Sequence, residues 1–322
     1  MKMADIISIG EMLVDFTAET TPDGAVRFYR NPGGAPAMVA VMAARAGASS
    51  AFIGKLGKDL FGKYLKSELE SHGVDTSGVI LDKEHQTTLA FVGTDEDNER
   101  EFVFYRKNSA DVNLSFNEIK KSQLDKCKII HFGALSLTDE PTRSATLNAI
   151  EYCKEQGKII SYDPNWREQL WESKSEAFKI MRSVVPLCDI IKVSEKELKI
   201  ITDYDNMLTG TAILLSKGVK AVIVTQGAKG CVIATKKGII RSASYKVETI
   251  DTLGTGDSFH GAFLAKLAET GKKPEELDVS ELESIADYAN ACGALCSTKY
   301  GAIPSMPSNE EILECMKNVP RL

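Results

Sequence analysis

The sequence has no excess of positive charge. Its 39 Lys and Arg are outnumbered by 45 Asp and Glu, for a net charge of −6, so a nucleic-acid partner, which normally meets a basic face, is not expected. It has no apolar run of membrane-spanning length. The longest small-apolar stretch, Ala35–Ala44, ends at Arg45, far short of what a bilayer requires. The first residues carry no secretory pattern, because Asp5 interrupts them and Ile6–Ile9 is too short for an apolar h-region. Paired cysteines are missing too. The seven present are odd in number and irregularly spaced, which implies free thiols in a reducing compartment. Cys292 and Cys296 would share a helix face, but no histidine lies near them in sequence, so packing is expected rather than metal binding. The expectation is a soluble, cytoplasmic chain without internal repeats or low-complexity segments.

Several nucleotide signatures are also absent. There is no Gly-x4-Gly-Lys-Ser/Thr string and no His-Arg-Asp loop, which disfavours P-loop and protein-kinase architectures. The first strand runs into Gly10-Glu11-Met12 and lacks the Gly-x-Gly-x-x-Gly spacing of a dinucleotide oxidoreductase.

What is present is an alternation of short apolar strands and helices. Strands are expected at Asp5–Ile9, Ala51–Leu56, Val79–Leu81, Lys128–Phe132, Lys158–Tyr162, Ile190–Val193, Ala221–Thr225 and Tyr245–Ile250. Helices are expected from Ala35 to Ala46, over Leu60–Ser71, Glu140–Gln156, Ser280–Thr298 and Ser308–Asn318, and after Gly256. β-Branched strands separated by helices indicate a mostly parallel sheet with helices on both faces. Ligands of such folds bind at the carboxyl ends of the strands. Two hairpins interrupt the pattern. Leu13–Thr17 and Val26–Tyr29 pair across Thr21-Pro22-Asp23-Gly24. Thr87–Thr94 and Glu101–Tyr105 pair across the acidic, exposed turn Asp95–Glu99. Hairpins inserted in a βα chain suggest a lid.

The most informative stretch is Asp251-Thr252-Leu253-Gly254-Thr255-Gly256-Asp257-Ser258-Phe259. Phe259, Phe263 and Leu267 then recur as on one helix face. A glycine turn opening a helix presents free N–H groups and the positive end of the helix dipole, a natural anion site. A carboxylate there, Asp257, would repel phosphate unless it takes a proton from an attacking hydroxyl. A Gly-x-Gly at such a junction can also be a simple tight turn, and an Asp in a first turn simple capping. A second diglycine, Gly33-Gly34, also precedes a helix.

The full string Asp-Thr-x-Gly-x-Gly-Asp-x-Phe resembles the C-terminal signature of the ribokinase-like (PfkB) carbohydrate kinases, and Gly33-Gly34-Ala35-Pro36-Ala37 resembles the N-terminal diglycine region. Within that family Gly10–Phe16, Phe104-Tyr105-Arg106 with Ala110-Asp111, and Asp163–Arg167 with Leu170-Trp171 are most similar to bacterial fructokinases. The resemblance runs nearly end to end. It implies a three-layer α/β/α fold with a mostly parallel sheet, one kinase domain over 1–322, and a β lid from about 12–30 and 87–108.

It also implies ATP-dependent phosphorylation of a sugar, with Asp257 as base and Gly254, Thr255 and Gly256 as anion hole. Asp15, Gly33, Gly34, Arg106, Asp111 and Arg167 would serve the sugar, although Arg106 and Asp111 could equally form a local ion pair. Ser194, Thr225, Gly227, Ala228, Gly230 and Asn290 would flank the nucleotide. Glu197 would act on Mg2+ through water. Asp251, Leu253, Cys296, Lys299, Gly301 and Ser305 would surround K+, mainly through backbone oxygens. The lid could serve as a homodimer contact.

Three positions depart from the family pattern. Met38 replaces an Asn that contacts the sugar, Ser194 replaces the Asn of Asn-x-x-Glu, and Thr255 replaces the usual Ala of the anion hole. Fructose is the first expectation. 2-Keto-3-deoxygluconate, ribose and nucleosides stay open, as does a non-catalytic sugar sensor, although that would be expected to lose the base or the anion hole. For Asp257 a helix N-terminus should hold the pKa below the ordinary 3.9 or so.

Overall fold

A computed structural model describes residues 4–94 and 100–322; the acidic turn Asp95–Glu99 lies outside the described residues. In chain order the strands are β1 (Ile6–Ile9), β2 (Leu13–Thr20), β3 (Val26–Gly33), β4 (Ser50–Gly57), β5 (Asp75–Asp82), β6 (Leu89–Thr94), β7 (Arg100–Tyr105), β8 (Ile129–Gly133), β9 (Ile159–Asp163), β10 (Ile190–Ser194), β11 (Ala221–Thr225), β12 (Cys231–Thr235) and β13 (Gly238–Ser242). The helices are α1 (Ala35–Arg45), α2 (Leu60–Ser71), α3 (Lys121–Leu124), α4 (Thr142–Glu155), α5 (Lys174–Ser183), α6 (Glu195–Thr202), α7 (Met207–Ser216), α8 (Thr255–Thr270), α9 (Val279–Cys296) and α10 (Asn309–Asn318).

The main sheet has nine strands in the order β13-β12-β11-β10-β9-β8-β1-β4-β5. From β11 to β5 neighbours are parallel; β12 and β13 form an antiparallel edge hairpin. Alternate strand residues point to opposite faces, which gives two cores. Ile6, Phe52, Ile129, Ile190 and Ile223 meet α1, α8 and α9. Ile7, Ile130, Ile160, Ile191 and Val222 meet α4, α5, α6 and α7. The chain leaves β1 in one direction for β4 and β5, and returns on the other side through β8 to β11. Strand order therefore switches beside β1, which opens a crevice at the carboxyl ends of β1 and β8.

Four strands, in the order β3-β2-β6-β7, form a second sheet over that crevice. Here β2 pairs antiparallel with β3 and parallel with β6, so two hairpins distant in sequence join edge to edge. Phe16, Phe28, Phe91 and Tyr105 contact one another across this lid sheet.

Helices α1 and α8 set the site. The small residues of α1 let the two backbones approach closely. A Cβ at Gly261 would lie 2.7 Å from the Val39 carbonyl oxygen, so only glycine fits there. This contact brings the N-termini of α1 and α8, and hence both glycine turns, to the same crevice.

One expectation fails. Tyr245–Ile250 is not a strand; Tyr245 makes an isolated bridge to Arg321. Its alternating pattern loses to tertiary partners. Lys246 N–H donates to the Pro320 carbonyl, and the N–H groups of Ile250 and Asp251 donate to Ser297 at the end of α9. The Asp251–Asp257 turn is therefore hung from a helix end rather than from a strand. All seven cysteines are buried free thiols. Among the described residues no helix is long and apolar enough to cross a membrane.

Candidate active site

Helices α1 and α8, which pack together, both begin at a glycine without a side-chain cap. Side chains cap the N-termini of α2, α5, α6, α7, α9 and α10. Helix α8 instead starts at Gly254, with φ 77° and no side-chain cap. The Thr255 N–H reaches the Thr252 carbonyl only at 3.4 Å. The N–H groups of Gly254, Gly256 and Asp257 have no protein acceptor among the described residues. Orphaned donors at a helix N-terminus suit an anion.

Asp257 occupies the first turn of α8 and is only 6% exposed. The Asn165 amide donates to its Oδ1 at 3.2 Å. Burial pushes its carboxyl up to about 7. Lys192 and Arg167 oppose the rise, while Asp163 and Glu197 add to it. The depressed value expected from the helix dipole is therefore corrected: desolvation of a fully buried carboxylate outweighs a dipole worth at most about 2 kcal/mol.

Three cavities meet here. One of about 550 Å³ is walled by Lys192, Glu197, Gly254, Gly256 and Asp257. A second, of about 190 Å³, lies between Thr225, Gly227, Ala228, Gly230 and Asn290 and shares Gly256 with the first. The third lies under the lid between Glu11, Asp15, Gly34, Met38, Phe102 and Arg167. Asn165, Arg167 and Leu253 line both the first and the third. The trough thus runs from the lid, past Asp257, to the edge hairpin.

In the lid-side cavity, Asp15 lies against the diglycine turn. A Cβ at Gly33 would fall 2.0 Å from Asp15 Oδ2, so this glycine makes room for the carboxylate. At Gly34, φ is 105° and a Cβ would meet the Glu11 carbonyl at 2.6 Å. Met38 also lines this cavity, and its Sδ lies 3.3 Å from where a Gly254 Cβ would stand. Arg167 stacks over Phe102 of the lid at 5.8 Å, within cation–π range.

Arg106 and Asp111 do not line the cavity. Arg106 Nε donates to Asp111 Oδ2 at 2.7 Å, and its other nitrogens reach Thr138 Oγ1 and the Leu135 carbonyl. Asp111 Oδ1 accepts from Thr88 and Ser109. The pair sits behind Glu11, whose carboxyl burial pushes up to about 7.

In the nucleotide-side cavity, Gly230 has φ 90°, and a Cβ there would strike the Ser242 carbonyl at 2.1 Å. The Asn290 amide is held by Ser242. Ser194 and Glu197 form a capping box on α6. Glu197 Oε2 accepts from Ser194 N–H and Oγ, and Oε1 from Trp166 N–H. With both oxygens engaged, Glu197 suits a metal only through water. Asp251 accepts from the N–H groups of Leu253 and Gly301, and Cys296 Sγ meets Ser305 Oγ at 3.1 Å. The Lys299 side chain turns outward to Glu311, which leaves only its backbone near that ring.

Sequence reasoning missed Lys192, Glu11 and the pairing of Asn165 with Asp257. A lysine inside the apolar run Ile-Ile-Lys-Val was the available signal, since a charge on a buried strand needs a partner.

The family profile of the pfkB family carbohydrate kinases matches residues 3–309. The chain belongs to that family. Fructokinase-1 of Oryza sativa subsp. japonica is 43% identical over 97% of this chain and 98% of its own length. Among solved structures, fructokinase from Xylella fastidiosa with bound ATP superposes with a TM-score of 0.90 at 29% identity, covering 98% of this chain and 99% of that one. A fructokinase double mutant from Vibrio cholerae O395, with fructose, ADP and potassium ion bound, gives a TM-score of 0.89 at 32% identity with the same coverage.

Proposed function

We propose that this pfkB carbohydrate kinase transfers the γ-phosphoryl group of ATP to a hydroxyl of fructose, giving fructose 6-phosphate. One observation carries the reading: unpartnered N–H groups of the α8 turn and the buried Asp257 carboxyl converge where the lid-side and nucleotide-side cavities join. The fructokinases it resembles at full length support fructose as the acceptor.

In this reading the lid-side cavity, with Asp15 and the Gly33-Gly34 turn, holds the sugar, with Arg167 between sugar and phosphate. Asp257 orients the reacting hydroxyl and accepts its proton. Because phosphoryl transfer passes through a loose transition state, little alkoxide is needed early and the proton moves late. Gly254–Gly256 N–H groups stabilise the charge developing on the transferred group. The lid excludes water, a competing acceptor. Thr225, Gly227, Ala228, Gly230 and Asn290 flank the nucleotide. Mg2+ carried in with ATP would neutralise phosphate charge, with Glu197 touching it through water. Asp251, Leu253, Cys296, Gly301 and Ser305 converge as a site for K+, with Lys299 contributing backbone alone. The exposed Val26, Phe28, Tyr29 and Val103 of the lid suit a homodimer contact. A sedimentation series showing only monomer would count against that contact.

The deciding experiment is a coupled ADP-release assay with MgATP and KCl on fructose, ribose, 2-keto-3-deoxygluconate, adenosine and a no-sugar blank. Saturable turnover on fructose alone is expected. Turnover on another acceptor would keep the mechanism and change the substrate; none above blank would favour a sugar sensor. Asp257→Ala should lower kcat by roughly 10²–10⁴-fold, and near-full activity would remove Asp257 as base.

A further inference from the structure

Asp163 ends β9 and is 1% exposed. Its Oδ2 accepts from Lys192 Nζ at 2.7 Å and its Oδ1 from Asn165 N–H at 3.2 Å. Behind it stands a buried polar chain. His260 Nδ1 lies 3.8 Å from Asp163, His260 Nε2 lies 2.9 Å from Ser161 Oγ, and Ser161 Oγ lies 3.1 Å from His131 Nδ1. Burial pulls both imidazoles down, which keeps them neutral. The full positive charge balancing Asp163 is therefore Lys192.

Lys192 is 7% exposed and walls the same cavity as Asp257, and among the described residues its ammonium has no hydrogen-bond partner besides Asp163. It lies directly under the glycine turn: a Cβ at Gly256 would come within 2.9 Å of Nζ. On the other side, Asn165 is held at φ 42° with its amide on Asp257. A left-handed asparagine is tolerated but uncommon. One carboxylate thus fixes both groups that bracket Asp257.

We propose that Asp163 is the positioning residue for Asp257, fixing Lys192 and Asn165 on either side of it and setting the charge balance in which it works. The proposal rests on the reading of Asp257 as base. The groups that face Asp257 are Lys192 from β10, Asp163 from β9, Arg167 and Asn165 from the loop after β9, Glu197 from α6 and Cys296 from α9. Two of these are cationic and two anionic. Deleting the Asp163 charge favours ionised Asp257, and deleting the Lys192 charge disfavours it. The two substitutions therefore act in opposite directions.

The test uses the full chain with MgATP and the sugar that turns over. kcat and KM are measured from pH 5.5 to 9 for wild type, Asp163→Asn, Lys192→Met and the double variant. The acid limb of kcat/KM should move down by about one pH unit in Asp163→Asn and up by about one in Lys192→Met. In each, kcat should fall roughly 10–100-fold, with the sugar KM within about threefold. A limb that stays put in both, or moves the same way in both, overturns the proposal. So does a loss that appears only in KM. Should a single variant fail to fold because it buries an unpaired charge, the double variant decides. A kcat still at least tenfold low supports positioning, and wild-type kcat shows the pair to be structural only. Asp257→Ala, run alongside, separates the two readings, because activity there removes the base itself whatever Asp163 does.

Discussion

Among the described residues, two buried ion pairs stand near the trough, and they differ in how completely they are satisfied. Around Arg106–Asp111 every guanidinium nitrogen has an acceptor, and both Asp111 oxygens have donors. Lys192–Asp163 has a single bond across the pair, and the ammonium faces a cavity. Taking charges out of water costs several kcal/mol per ion, and a pair repays this only when its remaining donors and acceptors are met. The first pair meets that condition within the protein and reads as scaffold, joining the lid-side loop to the strand ends. The second leaves donors open where a phosphoryl group is expected. A saturated pair builds a wall, whereas an unsaturated one waits for a ligand.

Arg106→Met should break the comparison most forcefully if it is wrong. It strands Asp111, and breaking a buried pair costs about 3–5 kcal/mol, read as a lower denaturant midpoint. The variant that remains folded should keep its fructose KM within about threefold. Unchanged stability with a large rise in KM would make Arg106 a sugar contact and erase the distinction between the pairs.

Next in size is the stability that Asp257 forfeits. Its folded value is raised from 3.8 to about 7, so the native state holds the proton more tightly than the unfolded chain does. Unfolding free energy therefore falls as pH rises from about 4 through about 7, by linkage. Asp257→Asn has no carboxyl to ionise. At pH 8, without ligands, it should exceed wild type by roughly 2–4 kcal/mol, and the gain should shrink towards pH 5. Equal stability at both pH values would show the carboxyl to be better solvated than its 6% exposure implies.

A smaller effect should follow from closing the gap between α1 and α8. Gly261→Ala places a methyl 2.7 Å from the Val39 carbonyl oxygen, and such overpacking costs about 1–3 kcal/mol. Since this contact aligns both glycine turns, kcat should fall with it. Loss of stability at full kcat would mean that the turns are positioned from the strand ends alone.

The sequence carried most of the architecture because burial repeats locally. Helix α2 starts directly after Asp59, which caps it, and the β2–β3 hairpin closes across the Thr21–Gly24 turn read from its residues. The lysine-glycine turn between β12 and β13 passed unnoticed. Tyr245–Ile250 was misread because its pattern of alternation is indifferent to which backbone partner is nearest. Arg106 and Asp111, assigned to the sugar by resemblance, stand behind the crevice that Asp15, Arg167 and Asp257 line. What could not be read was charge in context. Asp163 and Lys192 are 29 residues apart, and only the sheet, pairing Ile190 with Ser161, sets them side by side. The rise of Asp257 likewise depends on burial by segments that sequence spacing does not bring together.

The subtlest comparison lies within the lid-side cavity, between Asp15 and Met38. Asp15 offers a carboxylate to a sugar. Met38 offers none, although the family pattern places a hydrogen-bonding Asn there. Met38→Asn restores an amide to the wall, and one neutral hydrogen bond is worth about 0.5–1.5 kcal/mol. The fructose KM should therefore fall by roughly 2–10-fold, with kcat within about threefold. A rise in KM would point the other way. The methionine packs its sulfur 3.3 Å from the Cβ position of Gly254, and a shorter polar side chain would leave the mouth of the anion turn unsupported. In that case Met38 serves the phosphate side of the trough, and the hydroxyl that Asn would have met is held by Asp15 or Arg167.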